Sequence, residues 1–141
     1  MAESLKKLKE LFDLKDADLR TYSPLTLAYI GDGVYELVIR TILVKKANWP
    51  LNRLHKKASS LVKASAQSGM MEILEPLLTE EEKSVYRRGR NAHSATMAKH
   101  ATMADYRRAT GFEALMGYLY LKEDFSRILE LVHAGLEKEE I

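Results

Sequence analysis

The chain has 141 residues, no cysteine and a net charge of only +2, so it is long enough to bury a real core but excludes a disulfide framework or a thiolate metal centre. The small net charge hides an uneven distribution: residues 45–67 carry +6 with no acid, residues 87–108 carry +5, and the remainder sums to −9. Two basic stretches on an otherwise acidic protein point to a polyanionic partner.

The opening MAESLKKLKELFDL has neither the apolar run of a signal peptide nor the length of a membrane span, which predicts a cytoplasmic protein with no membrane attachment. Ser4 can cap a first helix through about Phe12, with Leu5, Leu8, Leu11 and Phe12 on one face. Ser23-Pro24 is a helix start, a capping hydroxyl followed by proline at the first helical position. The helix it opens is expected to run to about Lys46, apolar over most of its circumference and therefore buried on several sides, and to end at Asn48-Trp49-Pro50. A third helix is predicted from Leu51 to about Gly69, with a bend at Ser68-Gly69 before a continuation from Met70 to Leu78. Thr79 and Glu82 form a capping box for a helix through about Arg90. Residues 91–102 read as a polar, basic loop with some helical turns. A second strongly apolar helix follows from Ala104 to Leu121, and Asp124 caps a last one from Phe125 to about Leu136. With no period-2 alternation and no internal repeat, the expectation is an all-α bundle of about seven helices in a single domain, residues 1–141.

The two apolar helices share an oddity. In LAYIGDGVYE one carboxylate, Asp32, sits between Gly31 and Gly33; in GFEALMGYLYL another, Glu113, sits between Gly111 and Gly117. Each glycine costs a helix roughly 1 kcal/mol relative to alanine, so propensity does not explain them. Close approach of another backbone or a ligand does. Buried carboxylates need a partner or a cation. If the two helices pack together, Asp32 and Glu113 meet, and two negative charges at one place call for a shared proton or a divalent cation. All-oxygen ligation through two carboxylates suits Mg²⁺, with the basic stretches holding a phosphodiester for metal-assisted hydrolysis. The four histidines, His55, His93, His100 and His133, form no ligand cluster by spacing.

The motifs LAYIGDGVYELV and TGFEALMGYLYL resemble the two signature helices of the ribonuclease III catalytic domain. Together with YSPLTLAYIGD, RRGRNA and YRRATGFEALMGYLYL, they look specifically like the mini-ribonuclease III family, the short bacterial form without a double-stranded RNA-binding domain. The resemblance implies a ribonuclease III-like helical bundle and a homodimer that cuts both strands of double-stranded RNA. It implies Asp32 and Glu113 as the catalytic residues and Mg²⁺ ligands, and Tyr29 as a dimer contact. It further implies maturation of precursor ribosomal RNA, at the ends of the large-subunit (23S) molecule, with a ribosomal protein as an optional further partner. RNA contacts are expected from Lys56, Lys57, Lys63, Arg87, Arg88, Arg90, Asn91, Lys99, Arg107 and Arg108. Two acidic positions of the longer relatives are replaced, by Ala28 in the first motif and Thr110 in the second. Half of the usual carboxylate cluster is thus absent, leaving Glu36 or Asp105 as helpers and, as an alternative function, a catalytically weak module that binds structured RNA.

Overall fold

The computed structural model describes residues 2–92 and 102–141, and within them the chain is a bundle of seven α-helices with no strand. In chain order these are α1 (Ala2–Phe12), α2 (Pro24–Lys46), α3 (Leu51–Val62), α4 (Ala64–Leu74), α5 (Glu80–Arg90), α6 (Met103–Leu121) and α7 (Phe125–Gly135), with single 3₁₀ turns at Leu19–Thr21 and Glu75–Leu77. Side-chain caps set four of the seven helix starts. Ser23 Oγ accepts from the Thr26 amide, with Pro24 in the first turn of α2. Thr79 and Glu82 form the reciprocal capping box at α5, Thr102 caps α6, and Asp124 caps α7. The polar loop predicted over residues 91–102 lies almost wholly outside the described residues.

The bundle is organised around α6. Every residue from Ala109 to Leu119 is buried except Glu113, which is half-buried. Helices α2, α4, α5 and α7 all pack against α6. Two of its glycines allow this closeness: a Cβ on Gly117 would run into the Leu27 carbonyl of α2, and one on Gly111 would lie 2.7 Å from the Tyr86 ring of α5. Tyr35 of α2 closes the core from the other side, its ring edge-on to Phe112 at 4.9 Å and its hydroxyl donating to the Leu61 carbonyl at 2.9 Å. A buried ion pair ties α7 to α5. Glu82 is buried, accepts from Arg127 at 2.8 and 2.9 Å, and is held below the usual carboxylate range first by that guanidinium and then by the Thr79 amide. This pair contributes stability above the ordinary carboxylate pKa and loses it as pH falls.

Two expectations are corrected. The long third helix with a bend at Ser68-Gly69 is instead two helices broken at Lys63, whose backbone is extended (φ −64°, ψ 157°). Gly69 lies inside α4, exposed, with open space beside it. The break has no glycine or proline behind it. It is made by packing: α4 must turn to bring Met70, Met71 and Leu74 onto the core, and Gln67 Nε2 takes over the Val62 carbonyl at the end of α3, at 2.8 Å. The second correction concerns α2, which is buried along Leu27, Ala28, Gly31, Val34, Tyr35, Val38 and Ile39 but leaves Leu25, Tyr29, Leu37 and Val44 exposed. One apolar face of the helix therefore has nothing over it among the described residues.

Candidate active site

The site forms where α2 crosses α6. Gly31 faces the α6 backbone so closely that a Cβ there would collide with the Glu113 carbonyl oxygen, whereas a Cβ on Gly33 would meet nothing. Of the two glycines flanking Asp32, only Gly31 serves close approach; Gly33 faces outward. The crossing sets the Asp32 carboxyl beside that of Glu113, close enough to raise the pKa of Glu113. Contrary to the sequence expectation of two buried carboxylates, Asp32 is exposed and Glu113 is half-buried. The reason is position: Asp32 lies on the rim of the α2–α6 seam, while Glu113 points out of the most buried helix of the bundle.

Burial first, then the hydrogen bond and charge of Asp32, push the Glu113 carboxyl up to about 8, with Glu36 adding to the rise and the Gln67 amide opposing it. Two such groups at one place are a cation site or a shared proton. The folded chain holds a proton between the ordinary carboxylate value of 4.5 and about 8 that the unfolded chain has released. This group's contribution to stability is therefore full below 4.5 and lost as pH rises through 8. Thermal melts in EDTA should fall between pH 6 and pH 8.5 for the wild type and fall less for Glu113→Gln. Equal falls would contradict the assignment.

The third polar group at the seam is Gln67, which no motif announced. It is only 2 % exposed. Its Nε2 donates to the Val62 carbonyl and reaches Glu113 Oε2 at 3.5 Å, and its Oε1 is buried with no partner. Next to it Ser68 is buried and accepts from Arg108 Nη1 at 3.4 Å, which holds one predicted RNA-binding arginine against the site. Lys63 stands at the α3–α4 corner, directly after Val62, and is exposed. Arg107 is exposed on α6. Arg87, Arg88, Arg90 and Asn91 gather at the end of α5, with the Arg90 guanidinium 5.6 Å from the centre of the Tyr86 ring. Lys56 and Lys57 line a cavity of about 820 Å³ with Trp49, Arg53 and the acidic C-terminal residues, and the Arg53 guanidinium stacks 4.0 Å over Trp49. Lys99 lies outside the described residues.

The two positions that lack the longer relatives' acids are filled differently. Ala28 is packed into the core, and the Thr110 hydroxyl is turned back to donate to the Tyr106 carbonyl at 3.0 Å. Neither suggested helper completes the cluster. Glu36 is engaged by Arg40 at 3.4 Å, and Asp105 lies eight residues before Glu113, about 12 Å along the helix. No group of three or more His, Cys, Asp or Glu residues poised for a metal occurs among the described residues. The donor set is two carboxylates, which fits Mg²⁺: that ion is held through one or two carboxylates and takes its remaining ligands from water and substrate phosphate.

Residues 25–124 match the model of the ribonuclease III domain. The chain is 49 % identical over 116 residues to the mini-ribonuclease 3 of Clostridium tetani, covering 82 % of this chain and 77 % of that one. It is 45 % identical over 123 residues to the enzyme of the same name from Enterococcus faecalis, covering 86 % and 93 %. A crystal structure of a Fusobacterium nucleatum protein superposes with a TM-score of 0.80 at 30 % identity, covering 89 % of this chain and all of that one. A seven-helix bundle organised around the glycine-bearing α6, the crossing that sets Asp32 beside Glu113, and these matches lead to one assignment: the chain belongs to the ribonuclease III family, among its mini-ribonuclease 3 members.

Proposed function

We propose that the chain is a Mg²⁺-dependent endoribonuclease acting on double-stranded RNA, with Asp32 and Glu113 as its catalytic and metal-holding residues. The observation that carries this is the Gly31 crossing, which sets the Asp32 carboxyl beside that of Glu113 at the exposed edge of a protein with two strongly basic stretches. When bound, Mg²⁺ supplies an activated water and neutralises charge developing on the scissile phosphate. The protein's share is positional. Asp32, on the rim, meets substrate and solvent; Glu113, fixed from below by Gln67, is the rigid member. Arg108, held by Ser68, and Lys63 offer positive charge beside the seam for the flanking phosphates.

The readout implied is one of shape. A-form RNA presents its phosphates and 2′-hydroxyls across a shallow minor groove, so a surface with Lys56, Lys57, Lys63 and the arginines of α5 and α6 would grip backbone rather than sequence. Binding through these charges is steeply salt-dependent. Cutting both strands needs two sites, and the uncovered face of α2 supplies the means. Tyr29 is 84 % exposed and, with Ile30, Gly33, Val34, Leu37, Tyr120 and Phe125, lines a cavity of about 300 Å³. An apolar face of this kind marks an interface, here with a second copy of the chain. The ends of the large-subunit (23S) ribosomal RNA precursor, in the cytoplasm and with a ribosomal protein as helper, are the physiological setting that the family resemblance suggests. No helix among the described residues is long and apolar enough to cross a membrane.

The missing third and fourth carboxylates favour a second reading, a module that binds structured RNA but cuts it weakly. One assay separates them. A long RNA duplex incubated with the protein is expected to be cut in Mg²⁺, to stay intact in EDTA, and to be cut far better than a single strand of the same sequence. Tight duplex binding without metal-dependent cutting would support the binding module. In the same preparation Tyr29→Arg is expected to sediment as a monomer; a dimer of unchanged stability would remove Tyr29 from the interface.

A further inference from the structure

We infer that Gln67 is the third side chain of the metal site, holding Glu113 through Nε2 and offering Oε1 as a neutral oxygen to the cation; this rests on the metal-dependent reading above. The amide's orientation is fixed by chemistry. The Val62 carbonyl can only accept, so the nitrogen must face it, at 2.8 Å, and the same nitrogen reaches Glu113 Oε2 at 3.5 Å. That leaves Oε1 buried with no partner, on an amide whose nitrogen already lies within reach of Glu113. An unpaired buried acceptor is costly, and such atoms in a folded chain call for an explanation. A cation at the Asp32–Glu113 seam provides one, because amide and carboxylate oxygens together suit Mg²⁺ and Mn²⁺.

The inference also bears on the acids that Ala28 and Thr110 do not provide. A neutral oxygen adds a ligand without adding charge, so two carboxylates and one divalent cation balance, and the cluster needs no third acid. The α3–α4 break gives the arrangement its place. Lys63 turns the chain so that Gln67, four residues on, both closes the end of α3 and enters the seam. The same residue couples the basic corner at Lys63 to the rigid carboxylate of the site.

The test is titration of the RNA-free full-length chain with MnCl₂ at pH 8.5, following free Mn²⁺ by electron paramagnetic resonance, for wild type, Asp32→Asn, Gln67→Met and Gln67→Glu. Gln67→Met, similar in length but without an oxygen, is expected to weaken Mn²⁺ binding about 10- to 100-fold, the usual effect of removing a supporting group. Gln67→Glu keeps the oxygen and loses the N–H, and is expected to bind Mn²⁺ at least as tightly as wild type. Should Gln67→Met not fold, the comparison of Gln67→Glu with wild type decides. If Gln67→Glu binds Mn²⁺ more weakly than wild type, the residue is a structural tie through Nε2 and the inference falls. If wild type and Asp32→Asn bind alike, the metal-dependent reading itself falls, and this inference with it.

Discussion

Gly31→Ala is expected to destabilise the chain by about 3 kcal/mol or more, among the largest effects of a single methyl group, and to abolish activity in whatever protein still folds. The added carbon would occupy the space of the Glu113 carbonyl oxygen, and that oxygen belongs to the backbone of the most buried helix, which has no flexible tip to move aside. Relief requires α2 and α6 to separate. The same separation pulls Asp32 from Glu113, so stability and site geometry fail together. Gly33→Ala, two residues on, should cost far less, because within the chain a Cβ there meets nothing and alanine is the better helix former. Paired urea melts measure the contrast. Similar midpoints for the two variants would show that the crossing is not set by Gly31.

The second large effect concerns the carboxylates. Asp32→Asn and Glu113→Gln are each expected to slow duplex cleavage in Mg²⁺ by about 10³-fold or more, a barrier increase of about 4 kcal/mol. The folded states should respond differently. Asp32→Asn removes a negative charge that faces Glu113, so in EDTA the variant should be at least as stable as wild type, with Glu113 ionising at lower pH. Metal binding in the wild type must displace the proton that Glu113 holds, so apparent metal affinity should rise from pH 6.5 to pH 8.5 and the rise should be smaller in Asp32→Asn. Single-turnover rates and metal titrations across that range check both. A variant that loses activity while keeping the wild-type pH dependence of metal binding would assign Asp32 to RNA contact instead.

How much of this was legible in the sequence depends on whether the signal was local. Ser23, Thr79 with Glu82, and Asp124 cap their helices through hydrogen bonds to residues three positions away, and each is readable from a four-residue window. The pairing of α2 with α6 was readable because two glycine-bearing apolar runs, each with one acid, make sense only together. Which glycine touches was not readable. Gly31 and Gly33 look equivalent in a string, but two residues amount to about 200° around a helix, and only the phase fixed by Leu27, Val34 and Tyr35 turns Gly31 inward. The same phase puts Asp32 on the rim rather than in the interior.

The α3–α4 break and Gln67 were hidden for a different reason. Lys63 is neither glycine nor proline, and its extended backbone is imposed by where α4 has to lie on α6. Gln67 sits in a run of small and polar residues, ASAQS, with no motif to single it out. Its burial follows from the turn at Lys63, so missing the turn meant missing the residue. The exposed face of α2 was misjudged in the opposite direction. An apolar circumference predicts burial, but it does not say whether the covering surface comes from the same chain or from a second copy.

If Asp32 and Glu113 jointly hold one divalent cation at the α2–α6 crossing, the ion is directly visible by diffraction. The most direct measurement is an anomalous difference map from crystals of the wild-type protein soaked in MnCl₂, with data collected near the manganese edge. A single strong peak per chain is expected between the two carboxylates, at coordination distance from an oxygen of each. A peak elsewhere, or none at the seam from protein that cleaves duplex RNA in the same Mn²⁺ solution, would contradict it.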